Sequence, residues 1–194
     1  LPIAESDQSE IGNRKSEIMV WVDANHPVIH VDAKSLTGQP LEARASFEVW
    51  RKEKRPITGQ PGGGEYHSTG FTSLPAFSYP DTILPATPQR IGWYHRNVES
   101  PWLPSLKLQR VEAIAQTEQD PILHRTMGVI LRGDNLVSVS DTELKTDKPA
   151  PAISLGIHVL TQITDTPEQW VAALEKQAVA VDAMPVAQRR QKHG

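Results

Sequence analysis

From Ala152 to Ile163 apolar and polar residues alternate: Ile153, Leu155, Ile157 and Val159 share one face at period two, and Ser154, Gly156 and His158 share the other. This is the signature of a half-buried strand, and a strand must find neighbours for its backbone N–H and C=O groups. The chain supplies them. Ile18, Val20 and Val22 alternate before the turn Asp23-Ala-Asn-His-Pro27, and Ile29, Val31 and Ala33 alternate after it, which predicts a β-hairpin. Residues Leu41 to Lys52 alternate around Ala43, Ala45, Phe47 and Val49. Further strands are predicted over Arg90–Asn97, Thr126–Leu131 and Leu136–Ser140, with Gly133-Asp-Asn135 as a hairpin turn between the last two. Leu106 to Ile114 fits a strand or a short helix. Short strands separated by turn clusters predict a mainly β fold, an antiparallel β-sandwich.

The period changes at the end. Thr166-Pro-Glu-Gln169 places an N-cap residue, a proline at the first helical position and a glutamine at N3. Trp170, Val171, Leu174, Gln177, Ala178 and Val181 then recur at helical spacing, so a helix is predicted from Pro167 to about Val181. Its apolar stripe needs a cover, either the sandwich or a following domain. Pro185 can open a second helix. Three segments result: a loose, polar stretch at 1–16, a sandwich at 17–165, and a helical tail or linker towards an absent domain at 166–194. The start at Leu1 and the close inside helix-like sequence read as a piece of a longer protein. Within the sandwich, residues 55–90 hold six of the 16 Pro and five of the 12 Gly, including Gly62-Gly63-Gly64, and follow neither period. A stretch of that length is a mobile excursion or a loop that walls a cleft or packs on a neighbouring domain. Tyr66, Phe71, Phe77 and Tyr79 favour some burial.

Composition excludes several classes. With no Cys there is no disulfide framework, thiolate metal site or Cys nucleophile. Twenty Lys and Arg against 23 Asp and Glu leave no electrostatic footprint for nucleic acid. No apolar run approaches the roughly 18 residues of a membrane span. The seven His fall in no recognised ligand spacing, and no metal or other cofactor is expected. His158, opposite an apolar face, reads as solvent-exposed. No nucleophile-elbow, phosphate-loop or dinucleotide motif occurs, so no catalytic residue is assigned. Asp23, Asp81, Glu99 and Asp120 lie at turns and are nominal acid/base candidates, because paired carboxylates can converge from anywhere. The densest polar-aromatic cluster is Trp93-Tyr-His-Arg-Asn97. In a strand, Trp93, His95 and Asn97 face one way, and Tyr94 and Arg96 the other. Trp93, His95, Arg96 and Asn97 are the candidate ligand-binding residues, since aromatic faces with His, Arg and Asn line ligand pockets. The competing reading is a half-buried strand in which Arg96 is a packing partner.

Trp21-Val-Asp-Ala-Asn-His-Pro-Val-Ile-His-Val31, Phe47-Glu-Val-Trp-Arg51, Ile91-Gly-Trp-Tyr-His-Arg-Asn-Val-Glu-Ser100, Arg125-Thr-Met-Gly-Val-Ile130 and Thr161-Gln-Ile-Thr-Asp-Thr-Pro-Glu-Gln-Trp170 occur in the order found in one family. On these segments, between Ile18 and His193, the chain resembles the uncharacterised N-terminal β-sandwich domain of large bacterial glycoside-hydrolase-like proteins. The resemblance implies a supersandwich-like domain ahead of an (α/α) toroid, broadly similar to α-L-fucosidase and maltose-phosphorylase architectures. It implies a non-catalytic accessory role, carbohydrate and a C-terminal catalytic domain as partners, and a secreted or periplasmic location. The catalytic carboxylates would belong to the toroid. A stand-alone carbohydrate-binding module and a complete small glycosidase are the alternatives.

Overall fold

The computed structural model describes residues 15–56 and 77–185. Gly62–Gly64, Tyr66, Phe71, the helix expected from Pro185 and nearly all of the segment at 1–16 lie outside the described residues. Eleven strands and two α-helices follow in order: β1 (Ser16–Val22), β2 (Val28–Ser35), β3 (Arg44–Ser46), β4 (Arg55–Pro56), β5 (Phe77–Ser78), β6 (Thr82–Ile83), β7 (Arg90–Arg96), α1 (Trp102–Gln109), β8 (Arg125–Arg132), β9 (Leu136–Ser140), β10 (Glu143–Thr146), β11 (Ala152–Ile163) and α2 (Pro167–Asp182). The segment that fitted strand or helix is helical: α1 ends at Arg110 in the left-handed region (φ 59°), and a 3-10 turn follows at Glu112–Gln116.

All pairings are antiparallel. A six-stranded sheet runs β1-β2-β11-β8-β7-β6, a three-stranded sheet runs β3-β10-β9, and β4 pairs with β5. The β1–β2 hairpin forms as expected, with Val20 opposite Val31. Its turn is closed by Asp23, whose carboxylate accepts the Asn25 and His26 amides. The two larger sheets form a sandwich. Ile91, Leu131 and Ile153 of the large sheet meet Leu136 and Leu144 of the small one, with Leu41, Ala43, Ala45 and Phe47 packed at the margin. Only Arg44–Ser46 of the third alternating segment joins a ladder, although its alternation persists in burial through Trp50.

Gly133-Asp-Asn135 is a turn but not a hairpin. Both edges of β8 are already taken, by β7 and β11, so β9 has no edge to add to. The chain instead crosses to the small sheet, where β9 pairs with β10. Gly133 sits against β11 so closely that a Cβ would lie 2.1 Å from the Ser154 carbonyl oxygen. No other residue fits there.

The opposite face of the large sheet carries α2. Thr166 Oγ1 accepts from the Gln169 amide, and the Gln169 side chain returns to the Thr166 amide, completing the capping box. Trp170, Leu174 and Ala178 bury against Leu84 and Ile130, with Tyr94 and Leu160 beside them. The sandwich itself therefore covers the helical stripe. That cover reverses the expectation for His158. The residue is fully buried beneath α2, with Nε2 3.2 Å from Asp182 Oδ1. Period two separates the two faces of β11 but cannot show that both are covered.

One part of the sandwich side stays bare. Ile18, Val20 and Val22 of the edge strand β1 are 68%, 64% and 57% exposed. They lie on the face that the small sheet covers elsewhere, opposite Ala33, Val31 and Ile29 of β2.

Leu174→Ala should cost about 2–5 kcal/mol, because it opens a cavity where α2 meets the sheet. Thr166→Ala should cost about 1 kcal/mol through the lost cap. Urea melts of the two variants give the ratio directly.

Candidate functional site

The candidate cluster lies on β7, whose neighbours are β8 and the short β6. Alternation along β7 sends Ile91 into the sandwich core and Tyr94 against Trp170 of α2, with ring centroids 5.6 Å apart. Trp93 and His95 share the sandwich side with Ile91, and Arg96 shares the helix side with Tyr94. The four candidate residues therefore divide.

Arg96 binds backbone. Its guanidinium donates to the carbonyls of His124 (3.1 Å), Thr164 (2.8 Å) and Asp165 (2.9 Å) and to the hydroxyls of Thr126 (2.8 Å) and Thr164 (3.3 Å). It ties β7 to the loop that launches α2. Asn97 donates to the Ile122 carbonyl at 3.1 Å and orders the approach to β8. Trp93 is half-buried in the ladder between Ile83 and Val129.

His95 stands apart. Its Nδ1 lies 3.0 Å from Oδ1 of Asp81, a side chain with no exposed surface. Arg51 donates to the same oxygen at 3.4 Å, and the Asp81 amide donates to the Arg51 carbonyl at 2.9 Å. The second carboxylate oxygen is buried and has no hydrogen-bond partner among the described residues. Burial, then the Arg51 charge, holds the His95 imidazole below its ordinary pKa, against the opposing pull of Asp81. A neutral His on a buried Asp is oriented for proton transfer, but no hydroxyl is bonded to this His among the described residues. The arrangement holds β7 to the segment that precedes β6.

Aromatic and cationic side chains surround this triad. The Arg51 guanidinium lies 3.9 Å from the centre of the exposed Trp50 ring. Lys54 lies over Phe77 at 4.3 Å and Tyr79 at 4.6 Å, and reaches Glu99 at 3.8 Å. Its hydrogen bond to Tyr79 raises the ammonium pKa. Trp50, Arg51 and Lys54 escape a reading based on periodicity, because they sit at the end of the alternating segment or just past it and meet their partners only across the fold. Their one sequence signal is the Phe47-Glu-Val-Trp-Arg51 stretch, which carries no role by itself.

The remaining nominal acids have local tasks. Burial would raise the Asp23 carboxyl, but the Asn25 amide and the amide and ring of His26 outweigh it and leave the pKa lowered. Asp120 accepts the Ile122 and Leu123 amides. Among the described residues no group of three or more His, Asp or Glu could hold a metal ion.

With the sandwich and its polar-aromatic end in view, the class is an antiparallel β-sandwich domain braced by a helix. The chain belongs to the N-terminal domain family described as Domain of unknown function (DUF5703), whose model matches residues 5–194. Neither a search of curated proteins nor one of solved structures returned a match. No helix among the described residues is long and apolar enough to cross a membrane.

Two measurements test this geometry. Arg96→Ala should cost about 1–3 kcal/mol, because it strips the donor from a set of mostly part-buried acceptors. In an NMR titration, His95 should have its midpoint below the ordinary imidazole value of 6.5. The unfolded state then binds more protons, so the His95 contribution to stability is present above pH 6.5 and falls as pH drops towards the folded pKa. Asp81→Asn should lower the midpoint further, and Arg51→Ala should raise it. The opposite order would remove the assigned causes.

Proposed function

We propose that this chain is a non-catalytic accessory sandwich of a secreted or periplasmic carbohydrate-active protein, scaffolding a catalytic toroid and walling one side of its cleft. The observation that carries the reading is the bare face of β1. Ile18, Val20 and Val22 form a contiguous apolar strip on an edge strand, on the same sheet face whose apolar residues elsewhere pack under the small sheet, and they are more exposed than the apolar residues of α1 and its 3-10 turn (Leu103, Leu108, Val111 and Ile114, 39–50%). Such strips mark surfaces that another body covers. Membership in an N-terminal domain family supports reading that body as a domain that follows in the same polypeptide. The resemblance to the sandwich of glycoside-hydrolase-like proteins supports a toroid in that place. The triad of Arg51, Asp81 and His95 fits a scaffold, since its groups face each other. The exposed Trp50 favours a second reading, a stand-alone carbohydrate-binding module, because an indole plate can stack on a sugar.

Expressed as two polypeptides, the chain and the remainder of its parent protein should co-elute. Val20→Lys with Val22→Lys should weaken that association by about 100-fold, roughly 3 kcal/mol, while leaving the thermal midpoint of the chain nearly unchanged. The chain alone should release no aglycone from aryl glycosides. Turnover that a single Asp or Glu substitution abolishes would replace this reading with a glycosidase. Saccharide binding by the chain without co-elution would favour the module.

A further inference from the structure

We propose that the groove on the helix-bearing face of the large sheet, between the end of α2 and the β1–β2 hairpin, binds a neutral oligosaccharide segment. The inference rests on the carbohydrate reading above and assigns that ligand a place. Strand register sets His30, Gly156 and Arg132 side by side across β2, β11 and β8, with Asp32 beside Ser154 in the next pair. The buried stripe of α2 ends at Val181, and beyond Asp182 the sheet face is polar. A cavity of about 400 Å³ opens there, lined by His30, Arg132, Ser154 and Gly156, with Asp147 and Asp182 at its walls. A second cavity of about 370 Å³ adjoins it along β2 and shares Asp134, Asn135 and Ser154. The two meet at these shared residues, and each is in the size range of small-molecule sites.

Much of the lining is held in place before any ligand arrives. Asp32 accepts from the Trp21 indole at 2.9 Å and from the Ser154 hydroxyl at 2.6 Å. Trp21 stacks on His30 with centroids 4.1 Å apart and planes 21° apart, which makes a stiff aromatic plate beside the groove. Arg132 Nε lies 3.0 Å from Asp182 Oδ2. Asn135 exchanges both side-chain bonds with the Lys148 backbone, fixing the wall. Gly156 leaves the floor without a side chain.

The lining selects the ligand. Glu17, Asp32, Asp134, Asp147 and Asp182 outnumber Lys34 and Arg132, which already face Glu17 and Asp182, so an anion is repelled. An apolar ligand would strip water from these polar groups without replacing their hydrogen bonds. A chain of sugar rings offers the hydroxyl donors that carboxylates accept, carries no charge for the acidic lining to repel, and can lie along the side-chain-free floor at Gly156. The exposed carboxylates of Asp134 and Asp147 are the groups placed to accept them.

The test is a ¹⁵N NMR titration of the full chain with cellotriose, xylotriose, mannotriose and maltotriose, and separately with spermidine. At least one trisaccharide should shift the Trp21 indole and Gly156 amide resonances saturably. Asp134→Ala with Asp147→Ala should weaken that binding by about tenfold with the remaining spectrum preserved. Trp50→Ala should leave it unchanged. Shifts confined to the Trp50 and His95 end would overturn the groove and leave the carbohydrate reading standing. Saturable binding of spermidine in place of all four trisaccharides would make the groove an amine site and overturn the proposal. Absence of binding by every trisaccharide would overturn the groove; loss of co-elution with the parent remainder is what would overturn the accessory reading.

Discussion

Strand β11 is paired on both edges over Gly156–His158 and carries a covering layer on each face, and the rest of the domain is arranged around that condition. Its two neighbours in the sheet are β2 and β8. Ile153 enters the core shared with the small sheet, and Leu160 packs against the cluster beneath α2. Where the two layers cover it the strand loses its water, and a polar group there needs a partner or a packing reason. Ser154 bonds Asp32, His158 faces Asp182, and Gly156 contributes no side chain. The helix and the small sheet are thus joined through one strand.

The same condition explains where polar chemistry collects. Where α2 covers the sheet, the helix-side residues are Ile130, Tyr94 and Leu160; past its end they are His30, Asp32, Ser154 and Arg132. At the far end of β7, where the sandwich thins, Asp81 is buried with Arg51 and His95 closing on it. Each polar cluster occupies a margin that neither covering layer reaches. The apolar strip on β1 is the converse case, apolar residues at a margin with nothing of the described chain over them.

Much of the architecture was legible in the residues. The β1–β2 hairpin, β7, β8, β11 and the capped helix α2 all follow from period and turn chemistry, because those signals act within a few residues. The division of Trp93 and His95 from Arg96 also follows from period two. The site partners did not. Asp81 reaches His95 from fourteen residues upstream, through a segment with no period at all. Arg51 and Lys54 were silent because a cation after an alternating segment resembles any surface cation until its partners are known.

By itself the sequence determined that β1, β2, β7, β8, β9 and β11 are strands, which face of each is apolar, and where the last helix begins, since local sterics and hydrogen-bond competition decide these matters. Only the tertiary structure decided which strand pairs with which and which polar face is buried. Gly133-Asp-Asn135 has the residues of a hairpin turn, yet the chain crosses to the other sheet because β7 and β11 already occupy both edges of β8. His158 has the spacing of an exposed residue, yet α2 lies over it. Edges and covers belong to the whole fold. Their occupancy depends on segments far away in the chain, and no local pattern carries that information.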